Sequence, residues 1–386
     1  MKPTLSQSIQ KARVHWFKRT NKYLIVDTRT DQLFDLFLRF GNTSSELKSQ
    51  LSDLEDFKLD ESEIDALIFQ LKQMVDELSS PSENPSREVS SVLEKEHAYY
   101  SSELYAYRRS YFIINYGSEK IKNVFHPSWA HLKQEMSQTN KLTATKFTID
   151  KSNNDLRLFQ NGKLTCSHPS NQFHYLQGKL ALELINLFYK KNEEDWLASF
   201  HASAISNGSS ALLLVGESGS GKSTLTAILT AKGFDLVADD MSPMLASNQE
   251  IYKFPNGISI KQGAFEAIEK IIPDFSSLPA TKSLSKNVNS KFVYPENKLT
   301  DRNSYPCNTV LLVKYDSSGP NELTSVQPEI VLSELIPDSW INPQTKSAKI
   351  FLSWLKDLRY LRLSYSTNEF AINAVTELFT NDTGSS

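Results

Sequence analysis

The chain has 386 residues, of which 39% are hydrophobic and 23% charged. That length favours two or three domains, and that apolar content is enough to bury a core. A net charge of −3 gives no global reason to expect a nucleic-acid or membrane partner. Seven histidines without an HxxxH or HExxH cluster, and two distant cysteines, argue against structural zinc.

Met1 to Thr20 is polar and basic, and it lacks the apolar stretch of a secretory signal. No run approaches the roughly 18 apolar residues that a membrane helix needs. The expected location is therefore cytoplasmic, with Cys166 and Cys307 reduced. Tyr23 to Val26 predicts a short strand, Asp27–Thr30 a turn, and Leu33, Phe34, Phe37 and Phe40 one face of a helix. Gly41-Asn42 stops that helix, and Ser44 is the expected N-cap of the next. A third helix follows, with Ile64, Leu67, Ile68, Leu71 and Val75 as its apolar stripe. A strand followed by three helices predicts a small winged-helix unit.

Residues 78–92 are dominated by Ser, Pro and Glu, a composition that cannot offset its ordering entropy by burial. The implied division is a unit over 1–78, a linker over 79–96 and a larger unit over 97–386. The larger unit opens with Tyr-rich alternation typical of a half-buried strand. Further strands are expected in KFTIDK, in LRLFQN closed by an Asn161-Gly162 hairpin turn, and in NTVLLVKY. Residues 175–190 and 346–362 predict helices.

The chemistry lies between residues 201 and 240. Ala211 to Val215 is an apolar strand. Gly216-Glu217-Ser218-Gly219-Ser220-Gly221-Lys222-Ser223 then matches G-x-x-x-x-G-K-[ST] in full, and Thr224 to Ala231 continues as a helix ended by Gly233. Glycines permit backbone angles that turn successive N–H groups inward, and those donors with the helix N-terminus bind phosphate oxygens. Lys222 adds a mobile charge toward the β- and γ-phosphates, and Ser223 is placed to ligate Mg²⁺. Gly216 to Thr224 is therefore the expected site for ATP. Phe234 to Ala238 predicts a strand ending in Asp239-Asp240. Two carboxylates beside a triphosphate can hold Mg²⁺ and accept a proton from an attacking hydroxyl. His201, just upstream of the loop strand, can orient or neutralise one of them. It opens a hairpin through Asn207-Gly208 whose second strand runs into the loop.

These residues together (His201-Ala202-Ser203-Ala204, the loop, and Val237-Ala238-Asp239-Asp240) resemble the core of the HPr kinase/phosphorylase family, which is related to phosphoenolpyruvate carboxykinases. The resemblance is dense over about 200–240 and faint elsewhere. It implies an α/β P-loop kinase core with a mixed sheet, and an ATP-dependent serine kinase. Asp239 is then the candidate base, Asp240 its assistant or a metal ligand together with Ser223, with the order within the pair open. His201 matches the family's histidine that contacts the acids. No Arg-Gly-x-Gly segment follows, and Thr224 stands where bacterial HPr kinases usually carry Glu, so HPr itself is not implied as the acceptor. Phe254–Lys261 and Ser290–Pro295 resemble segments of looser relatives, which makes Lys261 and Lys291 candidate contacts to substrate or phosphate. The N-terminal unit resembles PqqD-type peptide-recognition domains, in which a leader peptide adds a strand to a sheet edge.

The function these features predict is ATP-dependent phosphorylation of a serine in a peptide or protein, such as a ribosomally made precursor, recruited by the N-terminal unit. A small-molecule alcohol kinase and a nucleotide-gated regulator are the alternatives. Neither an Asn-Lys-x-Asp guanine motif nor an LSGGQ-like signature occurs. Partners beyond ATP and the acceptor are not expected among nucleic acids or membranes, and homo-oligomerisation is left open.

Overall fold

The computed structural model describes residues 2–41, 44–52, 60–80, 98–137, 142–282, 289–297 and 299–382. It is a mixed α/β protein built on several sheets. β1 (Leu5–Ile9), β2 (Ala12–Phe17) and β3 (Lys22–Asp27) form an antiparallel sheet in that order. The first two strands add to the single strand that was expected ahead of the three helices. Val14, Trp16 and Phe17 of β2 are buried. His15, buried among them, is satisfied by Ser6 Oγ and by the Asp31 carboxylate, each at 2.7 Å. A strand can bury a polar residue when its hydrogen bonds are met.

Three helices follow: α1 (Thr28–Phe40), α2 (Ser44–Ser52) and α3 (Glu61–Ser79). The turn expected at Asp27–Thr30 is instead the start of α1, where the Asp27 carboxylate accepts from the N–H groups of Arg29 and Thr30. Asp60 and Glu63 close a reciprocal capping box on α3. Ile64, Ile68 and Leu71 of the expected stripe are buried. α3 runs through Ser79, so the first residue of the expected linker is helical. Most of that linker, 81–96, lies outside the described residues, as does Asn42. Of Ser44, only its place as first residue of α2 is described.

β4 (Ser101–Tyr107), β5 (Ser110–Tyr116), β6 (Lys133–Gln134), β7 (Thr145–Ser152), β8 (Asp155–Gln160) and β9 (Lys163–Pro169) make a second sheet in the order β6-β4-β5-β7-β8-β9. The Tyr-rich alternation is the β4–β5 hairpin. Asn161 and Gly162, both at positive φ, turn β8 into β9. The helix Phe173–Tyr189 packs on this sheet and leads into the largest one.

That sheet contains β10 (Trp196–Phe200), β11 (Ser203–Ser206), β12 (Ala211–Val215), β13 (Asp235–Ala238), β14 (Ser242–Leu245) and β15 (Glu250–Tyr252). β16 (Ile258–Lys261), β17 (Thr281–Lys282) and β18 (Asn289–Val293) form a small separate sheet. β19 (Ser304–Tyr315), β20 (Glu322–Ser325), β21 (Trp340–Ile341) and β22 (Arg359–Tyr365) complete the large one. It branches at β19, whose start pairs with β15 while its later residues pair in parallel with β12 on one side and β22 on the other. Every residue of β12 is buried, as expected for a strand with neighbours on both edges and cover on both faces. β11 is antiparallel to both β12 and β13. Hence β13, β12, β19 and β22 all point the same way, and their C-terminal ends share one rim. Ligands of open α/β sheets bind along such a rim.

The helix expected over 346–362 ends at Lys356, and β22 begins at Arg359. Pairing with β19 from Thr309 to Tyr315 overrides the helical spacing of its leucines. The N-terminal sheet does not stand apart from this body. Ile9, Val14 and Trp16 belong to the same apolar core as Phe200 and Phe351. The Tyr23 ring meets Phe351 edge-on at 5.4 Å, and Asn21 donates to the Ile341 carbonyl at 2.7 Å.

Candidate functional site

The loop leaves β12 at Gly216 and enters the helix Lys222–Ala231. Gly216 has φ 145°, and a Cβ there would lie 2.8 Å from both the Val313 carbonyl and Ser220 Oγ. Gly221 has φ 99°, and a Cβ there would press against Tyr315 and Tyr365. Both positions need glycine for conformation and for space. Lys222 is 7% exposed and folds its ammonium back onto the loop, donating to the Gly216 and Glu217 carbonyls. Burial pulls the Lys222 pKa down, against the opposing pull of Asp240 and Asp239. Ser220 Oγ is buried without a hydrogen-bond partner among the described residues. A buried orphan hydroxyl costs about 1–3 kcal/mol, which a polyphosphate oxygen would relieve. Glu217 is exposed, and Thr224 sits half-buried in the first helical turn.

The two aspartates part company at the end of β13. Asp239 is fully buried. Its carboxylate accepts from Ser203 Oγ at 2.5 Å, from the Ser259 N–H at 3.4 Å and from the Ser223 hydroxyl of the loop. Burial first, and the neighbouring Asp240 charge second, raise its pKa from the ordinary carboxylate range to about 7. Asp240 is exposed and adopts left-handed backbone, φ 59°. That conformation costs a non-glycine residue roughly 1–2 kcal/mol. Asp240 lines the wall of a cleft.

The cleft has a volume of about 1660 Å³. His201, Asp240, Asn256 and Lys261 line one part of it, and Leu24 on β3 and Met74 on α3 line another. His201 is exposed, and its backbone N–H donates to Ser339 Oγ at 3.1 Å. The structure brings its imidazole to the same cleft as Asp240, but among the described residues no hydrogen bond joins it to either acid. Lys261, at the end of β16, reaches from the cleft wall to the loop, where its ammonium donates to Ser218 Oγ at 3.3 Å. Lys291 behaves differently from the expectation. It is 8% exposed, donates to the Phe275 and Ser276 carbonyls, and lies between the Phe265 and Phe275 rings. These contacts brace the small sheet.

Three contributors carried no role in the sequence reading. Ser203 lies in the quoted His201–Ala204 run and Asn256 in the quoted Phe254–Lys261 run. Asn256 donates to the Asp239 carbonyl at 2.7 Å and leaves its own buried oxygen unpartnered. Ser259 adds its N–H to Asp239. Their signal was present in those strings, but the fold was needed to direct it onto Asp239.

The donors present suit magnesium. Ser223 and Asp239 offer two hard oxygens beside the loop, and Mg²⁺ is commonly held by one or two protein oxygens with substrate phosphates supplying the rest. A site with three or more His, Cys, Asp or Glu ligands is absent among the described residues. Neither Cys166 nor Cys307 forms a disulfide among the described residues. No helix among the described residues is long and apolar enough to cross a membrane.

Comparison with known proteins adds little. No family model matches the chain, and no curated protein matches it. Among solved structures, the chain is similar to the HPr(Ser) kinase/phosphatase from Coxiella burnetii, with a TM-score of 0.22 and 11% identity over 48% of this chain and 97% of that one. That score is too low to establish a shared fold.

Proposed function

We propose that this protein is an ATP-dependent kinase that phosphorylates a hydroxyl, in our reading a serine, on a peptide or protein laid in the cleft. The observation that carries it is the division of the acid pair. Asp239 is tied to the loop hydroxyl Ser223, while Asp240 faces the cleft beside it. A nucleotide-binding loop alone needs only the first of these.

This geometry favours reversing the order that the family resemblance first implied. Asp239 and Ser223 are the residues that would hold magnesium, whose chemistry there is to neutralise the polyphosphate oxygens. Asp240, open to the acceptor side, is the base. Its carboxylate takes the proton of the acceptor hydroxyl as that oxygen attacks the γ-phosphorus in line. The bond from the γ-phosphorus to the bridging oxygen breaks, ADP leaves with the electron pair, and the proton passes from Asp240 to solvent. Lys222 and Lys261 offset the charge on the transferring group. His201, across the cleft wall, orients the acceptor or relays that proton.

A polymeric acceptor is favoured over free serine by the cleft itself. Small-molecule pockets run to roughly 300–1,000 Å³, and this one is about 1660 Å³. It also extends to β3, which among the described residues pairs only with β2 and so leaves an edge that a peptide strand can join. The test is incubation with ATP and Mg²⁺ plus serine-containing peptides or free serine, read by mass spectrometry. Phosphate on a peptide serine, lost in Asp240→Asn, is the expected result. Phosphate on free serine with no preference for peptides would replace the peptide reading. ATP bound without transfer to any hydroxyl would leave only a nucleotide-gated regulator.

A further inference from the structure

The rim that holds the loop and the acids continues past them in the other direction. β13 delivers Asp239 and Asp240 on one side of the loop strand β12. On the other side β19 ends at Tyr315 and β22 ends at Tyr365. Neighbouring strands lie about 4.8 Å apart, and β11 intervenes only on the acid side. The loop therefore sits between a carboxylate flank and an aromatic flank.

In-line transfer fixes which end of a nucleotide faces which flank. The γ-phosphate must meet the base and the acceptor, so the nucleoside must leave the loop away from Asp240. That direction leads to Tyr315. The Tyr315 N–H donates to the Ser220 carbonyl of the loop at 2.9 Å. Its side chain stands against Gly221, where an added Cβ would lie 3.1 Å from Tyr315 Cβ. Tyr365 is 2% exposed and backs it, with ring centroids 5.3 Å apart at 57°. Tyr315 itself is 49% exposed. An anchored backbone, a buried ring behind and an open ring face beside a phosphate loop are the ingredients of a base-stacking platform.

We propose that Tyr315, supported by Tyr365, is the platform on which the purine base of the bound nucleoside triphosphate stacks. The inference rests on the reading of 216–223 as the polyphosphate site, and it adds the residue that holds the other end of the ligand. A π-face accepts any base, so ATP and GTP bind with similar strength through this contact.

Calorimetric titration of the full-length protein with magnesium-ATP and with magnesium-tripolyphosphate separates the two ends of the ligand. Tyr315→Ala is expected to weaken ATP about tenfold while leaving tripolyphosphate within about twofold of the parent. Tyr315→Phe should bind both as the parent does. If the alanine variant melts early, Tyr315→Leu keeps the apolar cover over Gly221 without the π-face and should give the same split. Unchanged ATP affinity in the alanine or leucine variant would overturn the proposal. Equal weakening of both ligands would overturn it too, since the ring would then only prop the loop. Failure of the underlying reading looks different: the parent would bind neither ligand, or Lys222→Ala would bind both undiminished.

Discussion

The glycine loop and the cleft beside it are built by opposite means. The proposed phosphate loop is eight consecutive residues, and its shape comes from backbone: three glycines at positive φ, one lysine and a helix start. The cleft at its side is assembled from chain segments as far apart as Leu24, His201 and Ile341, and its shape comes from how the N-terminal sheet docks on the main body. A polyphosphate is the same molecule for every member of a nucleotide-binding class, so a short local device suffices to hold it. An acceptor differs from one enzyme to the next, and long-range packing is what selects it.

The sharpest way to break this comparison is at the loop. Lys222→Ala should reduce transfer by at least about a thousandfold and weaken ATP severely, because the ammonium that the loop itself carries to the phosphates is lost. Titration calorimetry with a coupled ADP assay reads both. Next comes the acceptor flank. Asp240→Asn should lower transfer by about 10²–10⁴ with ATP affinity nearly unchanged, the mark of a lost general base. Since Asp240 carries left-handed backbone, Asp240→Gly should be equally inactive yet more stable than the parent by up to about 1 kcal/mol in a denaturant melt.

The pH response divides the acids again. The Asp239 pKa is raised by folding, so the native state holds a proton that the unfolded chain releases. Without ligand, the contribution of Asp239 to stability should therefore be fully present below the ordinary carboxylate range and be lost as pH rises toward 7. The loss is on the order of 2–4 kcal/mol, and Asp239→Asn should flatten it. Magnesium-dependent nucleotide binding should run the other way and strengthen as Asp239 ionises. The smallest effect belongs to the distant wall. Met74→Glu should raise the peptide KM about tenfold and spare basal ATP hydrolysis, because Met74 lines the cleft beside β3. Deleting the N-terminal unit is a poorer test, since Ile9, Val14 and Trp16 help close the main core.

The same local-versus-distant contrast explains what could be read from the sequence. The loop, its strand and its helix follow from eight letters and their flanks. The acid pair was visible, but its division was not, because nothing in Val-Ala-Asp-Asp announces that Asp240 turns into left-handed backbone while Asp239 finds Ser203, Ser223 and Ser259. β2 was missed because Arg13 and His15 interrupt its apolar letters, and only the Ser6 and Asp31 contacts let His15 be buried. β22 was taken for helix because Leu352, Leu355, Leu358 and Leu361 keep a spacing of three across the real break at Asp357. Lys261 and Lys291 looked alike as lysines in quoted segments, yet one reaches the loop and the other is clamped between two phenylalanine rings.

A crystal structure with magnesium and a non-hydrolysable ATP analogue tests the central claim most directly. The account predicts the γ-phosphorus about 5–6 Å from the Asp240 carboxylate, a gap that one hydroxyl fills, with Ser223 and Asp239 on the metal side. A γ-phosphate directed away from Asp240, toward Tyr315, would contradict it.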